Sequence, residues 1–211
     1  MSNLTTFAAA NLPSVASLSD ALRRTASTVA PTGGGVIVKM DKTGHWCFGA
    51  DSTEVEDDSR WAVNPFSFVH GYIAWGDGEV LSQVMAPITD PLPETGLAPA
   101  GAKKGWEVQI GMSVKCLDGE DKDMEASYSA TSLGGRKAAT ALALAIAAQV
   151  ELDPTKPVPV VLLRKDSYIH KSYGRTYVPV FEVVDWMSMD GTPSEPTAEE
   201  EAPRRRRRAA A

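Results

Sequence analysis

Cysteine is scarce: Cys47 and Cys116 are the only two among 211 residues. Two cysteines this far apart exclude a disulfide scaffold and any C-x-x-C centre, and they fit a reducing compartment. Histidine is nearly as rare, with His45, His70 and His170. His45 and Cys47 share a strand face, but no second pair stands at metal-ligand spacing, so no zinc site is expected. There is no G-x-S-x-G elbow, no H-E-x-x-H and no Walker A loop. Gly76 and Gly78 do not complete a dinucleotide fingerprint, because Leu81 stands where the third glycine belongs. No carboxylate pair marks a general acid and base. The expectation is a protein that is not an enzyme and carries no cofactor or metal.

Long apolar runs are absent too. The longest, Ala138–Val150, is too short to span a bilayer. The start has neither an early positive charge nor an apolar run, so no secretory signal is expected. These absences point to the cytoplasm, or to the host cytoplasm if the protein is viral. Positive charge is not in excess either, since formal net charge is −6. The stretch after Thr192 holds Arg204 through Arg208 against four glutamates, which leaves the body at −7. A nucleic-acid site must then be a local basic surface on an acidic body, and duplex wrapping is disfavoured.

What is present reads mainly as short strands. Residues 1–34 are expected to be flexible, with a short helix over Pro13–Thr25. Gly35–Asp41 and His45–Ala50 form two strands about a turn, and Asp51–Arg60 is a solvated acidic loop. Asn64-Pro65 signals a turn before a strand at Phe68–Trp75. There Gly71 marks a bulge or a close backbone approach. Gly76-Asp77-Gly78 turns into a strand at Val80–Ala86. Pro87–Lys104 is a long Pro/Gly loop ending in Lys103 and Lys104, read either as a flap over a phosphate backbone or equally as a tolerated insertion.

Gly105–Leu117 and Met124–Thr131 make a hairpin about Asp118-Gly119. Its first strand alternates Trp106, Val108, Ile110, Met112, Val114 and Cys116 toward a core. Thr131 or Ser132 caps one Ala/Leu-rich helix over about Arg136–Leu152, apolar nearly all round and so expected to be buried. Arg136 and Lys137 stand at its N-terminus, where an anion could bind. The fold expected is mainly β: an antiparallel, OB-like barrel over 35–189 with one buried helix, α+β being the alternative. Residues 190–211 are expected to be a disordered tail, acidic and then basic.

Arg164–Trp186 is the most informative stretch. Strands at 158–170 and 175–187 flank Ser172, Tyr173 and Gly174 as a hairpin. Arg164, Asp166, Tyr168 and His170 share one parity, and Tyr173, Arg175, Tyr177 and Phe181 share another. If both rows fall on one side, with Lys171 at the tip, the hairpin is a platform on which bases stack and phosphates are neutralised. Val178, Val180, Val184 and Trp186 then face the core, with Glu182 unexplained. A purely structural reading stands beside this one, since tyrosine is common in strands and Lys and Arg blunt edges.

The segments WAVNPFSFVHGYIAWGDGEV and KSYGRTYVPVFEVVDW resemble small proteins of bacterial viruses. In pattern, Gly35–Met189 resembles viral single-stranded-DNA-binding proteins of OB fold. The resemblance implies a protein that coats replication or recombination intermediates without catalysis. By role it assigns Trp61, Tyr72, Trp75, Tyr168, Tyr173, Arg175 and Tyr177 to the nucleic-acid surface. Such proteins often end in an acidic partner-recruiting tail, whereas here Glu199–Glu201 are followed by arginines. The partners expected are single-stranded nucleic acid, DNA rather than RNA, with replication proteins and a second copy of the chain as further candidates and no membrane. An assembly or inhibitor module docking through the tyrosine hairpin is the alternative. A metal-dependent nuclease is the third, carried only by the well-separated Glu107 and Lys115.

Overall fold

The computed structural model describes residues 35–191. The expected helix at Pro13–Thr25 and the tail from Thr192 lie outside them. The described chain is β-rich with one α-helix, as expected. The strands are β1 (Val36–Met40), β2 (Trp46–Phe48), β3 (Thr53–Glu54), β4 (Arg60–Val63), β5 (Val69–Trp75) and β6 (Val80–Pro87). They continue as β7 (Glu107–Cys116), β8 (Glu125–Ala130), β9 (Val158–His170) and β10 (Gly174–Met187). The helix α1 spans Leu133–Leu152, between β8 and β9.

All ten strands join one sheet, in the order β10-β9-β4-β7-β8-β1-β2-β3, with β5 and β6 branching from β7. The branch arises because β4 and β5 lie end to end along one edge of β7. Val63 pairs with Val114, and Val69 with Gly111. Asn64-Pro65 makes the break between them. The Asn64 side chain accepts the Phe66 N–H and opens a short 3-10 turn at Pro65–Ser67.

The sheet curls on itself. Tyr128 on β8 and Phe181 on β10 are separated by β7, β4 and β9 in the ladder, yet their rings meet at 5.0 Å, edge to face. Trp46 of β2 touches both, at 5.9 and 5.6 Å, and donates its indole N–H to the Arg164 carbonyl at 2.9 Å. Around this cluster Val38, Val63, Met112, Val114 and Val161 are buried, as is Phe68. Burial pushes the Tyr128 phenol far above its ordinary value, so it stays neutral.

Three expectations change. The β7 alternation holds only toward its C-terminus. Met112, Val114 and Cys116 are buried, but Val108 is exposed and Gln109 is buried instead, accepting from Gln83 at 2.7 Å. The parity of the buried residues changes along β7 where its partner changes, from β5 over Glu107–Gly111 to β4 over Val114–Cys116.

The helix, second, is covered on one face alone. Gly135, Ala139, Leu142 and Ile146 are buried, while the opposite face is exposed. Gly134 and Gly135 bring its first turn against the sheet, where a Cβ would press on Val178 and on Ala130. Ser132 caps it by accepting the Gly135 N–H at 3.1 Å.

The loop beyond β6, third, is no free flap. Phe68, Trp75 and Gly96 supply carbonyls that accept from Ile88 N–H, Lys103 N–H and the Trp106 indole, all at 3.0 Å. A His70 ring nitrogen also lies 3.0 Å from the Asp90 carbonyl.

Candidate nucleic-acid interface

The β9–β10 hairpin extends past the body of the sheet. Ladder contacts to β4 stop at Leu162, and from Leu163 to His170 β9 pairs only with β10. Lys171–Tyr173 form a three-residue connection, closed by Gly174 at φ +71°. Only glycine adopts such a φ without steric cost.

That odd-numbered connection decides which side chains share a face. His170 pairs with Gly174, Tyr168 with Thr176, and Ser167 with Tyr177, so equal parities face together. The two rows expected to form one platform therefore lie on opposite sides.

The odd side turns inward. Pro179 is buried, and Tyr177 and Phe181 are half-buried. Lys165 caps the Tyr177 ring at 5.5 Å, and Gly44 at φ +85° lies so near that ring that a Cβ would stand 2.7 Å from it. The even side turns outward, leaving Val180 and Val184 exposed rather than in the core. Inward curvature of the wall toward Trp46 and Tyr128 selects the side that carries Phe181.

The outward side holds Tyr168, His170 and, from the connection, Tyr173. Tyr168 is 50% exposed and Tyr173 82%. The His170 and Tyr173 rings stack at 4.7 Å and 28°, and the Tyr168 ring meets His170 edge-on at 6.3 Å. The Ser172 N–H donates to His170 Nδ1 at 3.1 Å, which fixes that ring against the turn. These rings form a short ledge in which His170 and Tyr173 cover one face of each other and the tyrosine rings stay largely exposed to solvent.

Charge along the ribbon is positive. Arg164, Lys165, Lys171 and Arg175 stand against Asp166 and Glu182, which gives Leu163–Glu182 a net +2. Lys165, Lys171 and Arg175 form no ion pair among the described residues. Arg164 is different. It is held by Glu182 at 2.9 Å and Asp58 at 2.7 Å, which explains Glu182 and removes Arg164 from the free cations. Both carboxylates, Glu182 foremost, raise the proton affinity of Arg164 further. At the hairpin's root a cleft of about 290 Å³ is lined by His45, Glu54, Glu56, Asp57, Asp58 and Arg164, among others. Its carboxylates would repel a phosphate chain, and Lys165 also lines it, which leaves Lys171 and Arg175, at and next to the hairpin tip, as the ribbon's free cations outside the cleft.

The remaining candidates lie elsewhere. Trp61 is fully buried, because β4 is an internal strand and Trp61 pairs with Cys116 on one side and Val161 on the other. Its indole donates to Ser59 Oγ at 3.0 Å. It is a core residue and not a stacking residue. Tyr72 and Trp75 stand on β5, half-buried and exposed respectively, and β7 and β4 separate them from the hairpin in the ladder.

Lys103 is paired with Asp77 at 2.6 Å and Lys104 lies 3.8 Å from Glu107, so the loop's cations are already matched. Arg136 donates to the Thr131 carbonyl at 3.1 Å, and the neighbouring Ser132 cap occupies the helix end proposed for an anion. Lys137 is exposed on the outer face of α1. Lys165 was not among the expected contacts. Its parity opposes that of Tyr168, yet its exposed amine belongs to the same basic ribbon.

Cys47 and Cys116 are both free and buried, and burial pushes the Cys116 thiol up. No cluster of three His, Cys, Asp or Glu occurs among the described residues. Nor is any helix there long and apolar enough to cross a membrane. Neither family models, nor curated proteins, nor solved structures match this chain.

Proposed function

We propose that the protein binds single-stranded nucleic acid, DNA first, through the outward side and tip of the β9–β10 hairpin. The observation that carries this reading is the exposed Tyr168–His170–Tyr173 ledge on a ribbon of net +2. Exposed ring surface accepts any base, Lys171 stands beside it at the tip, and Lys165 and Arg175 project from the other side of the same ribbon and add to its positive charge. No side-chain set for reading base edges accompanies them, so binding is sequence-tolerant. A helix between the β7–β8 and β9–β10 hairpins fits the OB-like architecture in which such surfaces recur. The role is then protection of replication or recombination intermediates in the cytoplasm.

The test is fluorescence anisotropy with labelled oligo-dT and its RNA counterpart at 50 and 200 mM salt. Three phosphate contacts on a single strand imply about an eighteen-fold loss of affinity over that range. DNA is expected to bind more tightly than RNA. No binding at low salt, or binding that salt leaves untouched, rejects the reading.

One observation favours a second reading, a protein-docking module. β10 ends the sheet order, so its outer edge is open to an added strand among the described residues. Salt-insensitive capture of a protein partner, with no oligonucleotide binding, would select it.

A further inference from the structure

Among the described residues, nothing is packed on the outer face of α1. Leu144 is 67% exposed and Leu152 83%, and Ala141, Ala147 and Ala148 are exposed beside them. A helix whose polar side should meet water instead presents leucine and alanine. Two charges bracket this face. Lys137 lies seven residues before Leu144, and Glu151 seven residues after it. Seven residues are close to two helical turns, so all three stand in one row. Both charged residues are exposed, and neither has an ion-pair partner among the described residues.

We infer that this face is the contact between two copies of the chain, with the two α1 helices packed antiparallel about a two-fold axis at Leu144. That axis places each residue opposite the one equally far on the other side of position 144. Lys137 then meets Glu151 of the second copy, and Glu151 meets its Lys137, which gives two ion pairs from one self-complementary surface. Ala141 falls opposite Ala147, and Thr140 opposite Ala148. These small side chains allow the helix axes to approach closely, and Leu144 packs on itself at the centre. A parallel arrangement in register would set Lys137 against Lys137 and Glu151 against Glu151, so the charges select the antiparallel one. The outward side of the β9–β10 hairpin contributes none of these residues. The inference therefore stands whether or not that hairpin binds DNA.

The test is the mass of the full-length protein by light scattering after gel filtration, followed through a dilution series. The wild type is expected at twice the chain mass at micromolar concentration. Lys137→Glu and Glu151→Lys each create two like-charge contacts and are expected to weaken dimerisation by about tenfold. The double reversal Lys137→Glu/Glu151→Lys restores both pairs and the wild-type dissociation constant. Leu144→Glu, which sets two carboxylates on the axis, gives a monomer. Circular dichroism of each variant verifies that the helix is intact. A monomeric wild type overturns the inference, as residues 1–34 covering this face within one chain would produce. A dimer indifferent to both single reversals overturns it equally.

Discussion

At the scale of single residues, aromatic side chains of similar appearance divide into those that hold the fold and those left free to bind. Trp61 has no exposed surface and lies between β7 and β9, so Trp61→Ala is expected to cost about 4 kcal/mol in urea denaturation. Tyr173 touches little besides His170, so Tyr173→Ala should leave the urea midpoint unchanged. Its oligo-dT affinity should fall about tenfold, one stacked base being worth roughly 1–3 kcal/mol.

Asp118 gives a pH signature. Partial burial raises its carboxyl, but hydrogen bonds from the Arg60 N–H and guanidinium, at 2.7 and 2.6 Å, together with the Arg60 charge, outweigh burial and hold it below the ordinary value. A depressed folded-state value stabilises the protein above the unfolded value of 3.8, and that stabilisation is lost as pH falls through the folded one. Asp118→Asn should lower stability at pH 7 and flatten its fall below about pH 4, as followed by thermal melts across pH.

At the scale of elements, much was legible in the sequence. Alternation set the bounds of β9 and β10 to within a residue, and Asn64-Pro65 and Asp118-Gly119 fell at turns. The Arg/Tyr row was misjudged for a definite reason. A three-residue connection pairs positions of equal parity, so Tyr168 faces with Thr176 and Tyr177 turns inward. The turn itself implied this, but which parity faced the core depended on Trp46 and Tyr128, far away in sequence. Trp61 was misplaced because nothing local says that β4 is flanked by two strands.

Gly71 was a sound signal. A Cβ there would collide with the Val84 carbonyl oxygen, so it marks a close approach, while the register shift falls between Ala74 and Trp75. The helix was expected to be buried because composition alone does not tell a covered apolar face from an uncovered one. Its cap can be tested directly: Ser132→Ala should cost about 1 kcal/mol in urea without altering oligonucleotide affinity.

At the scale of the whole molecule, a chain of net charge −6 carries a hairpin ribbon of net +2 that extends beyond the acidic cleft at its root. This arrangement orients an approaching polyanion toward the hairpin and away from the cleft. Reversing that bias with Lys171→Glu/Arg175→Glu should reduce affinity at 50 mM salt at least tenfold and flatten the salt dependence, since two of three phosphate contacts are removed. The same substitutions touch no core residue and should leave thermal unfolding unchanged.

The most direct measurement is the anisotropy of labelled oligo-dT at 50 mM salt, titrated with wild type and with Tyr168→Ala/Tyr173→Ala. We expect tight wild-type binding and about a hundred-fold loss in the double variant at an unaltered unfolding midpoint. Equal affinity of the two proteins, or no binding by either, would contradict the assignment of the exposed rings to nucleic acid.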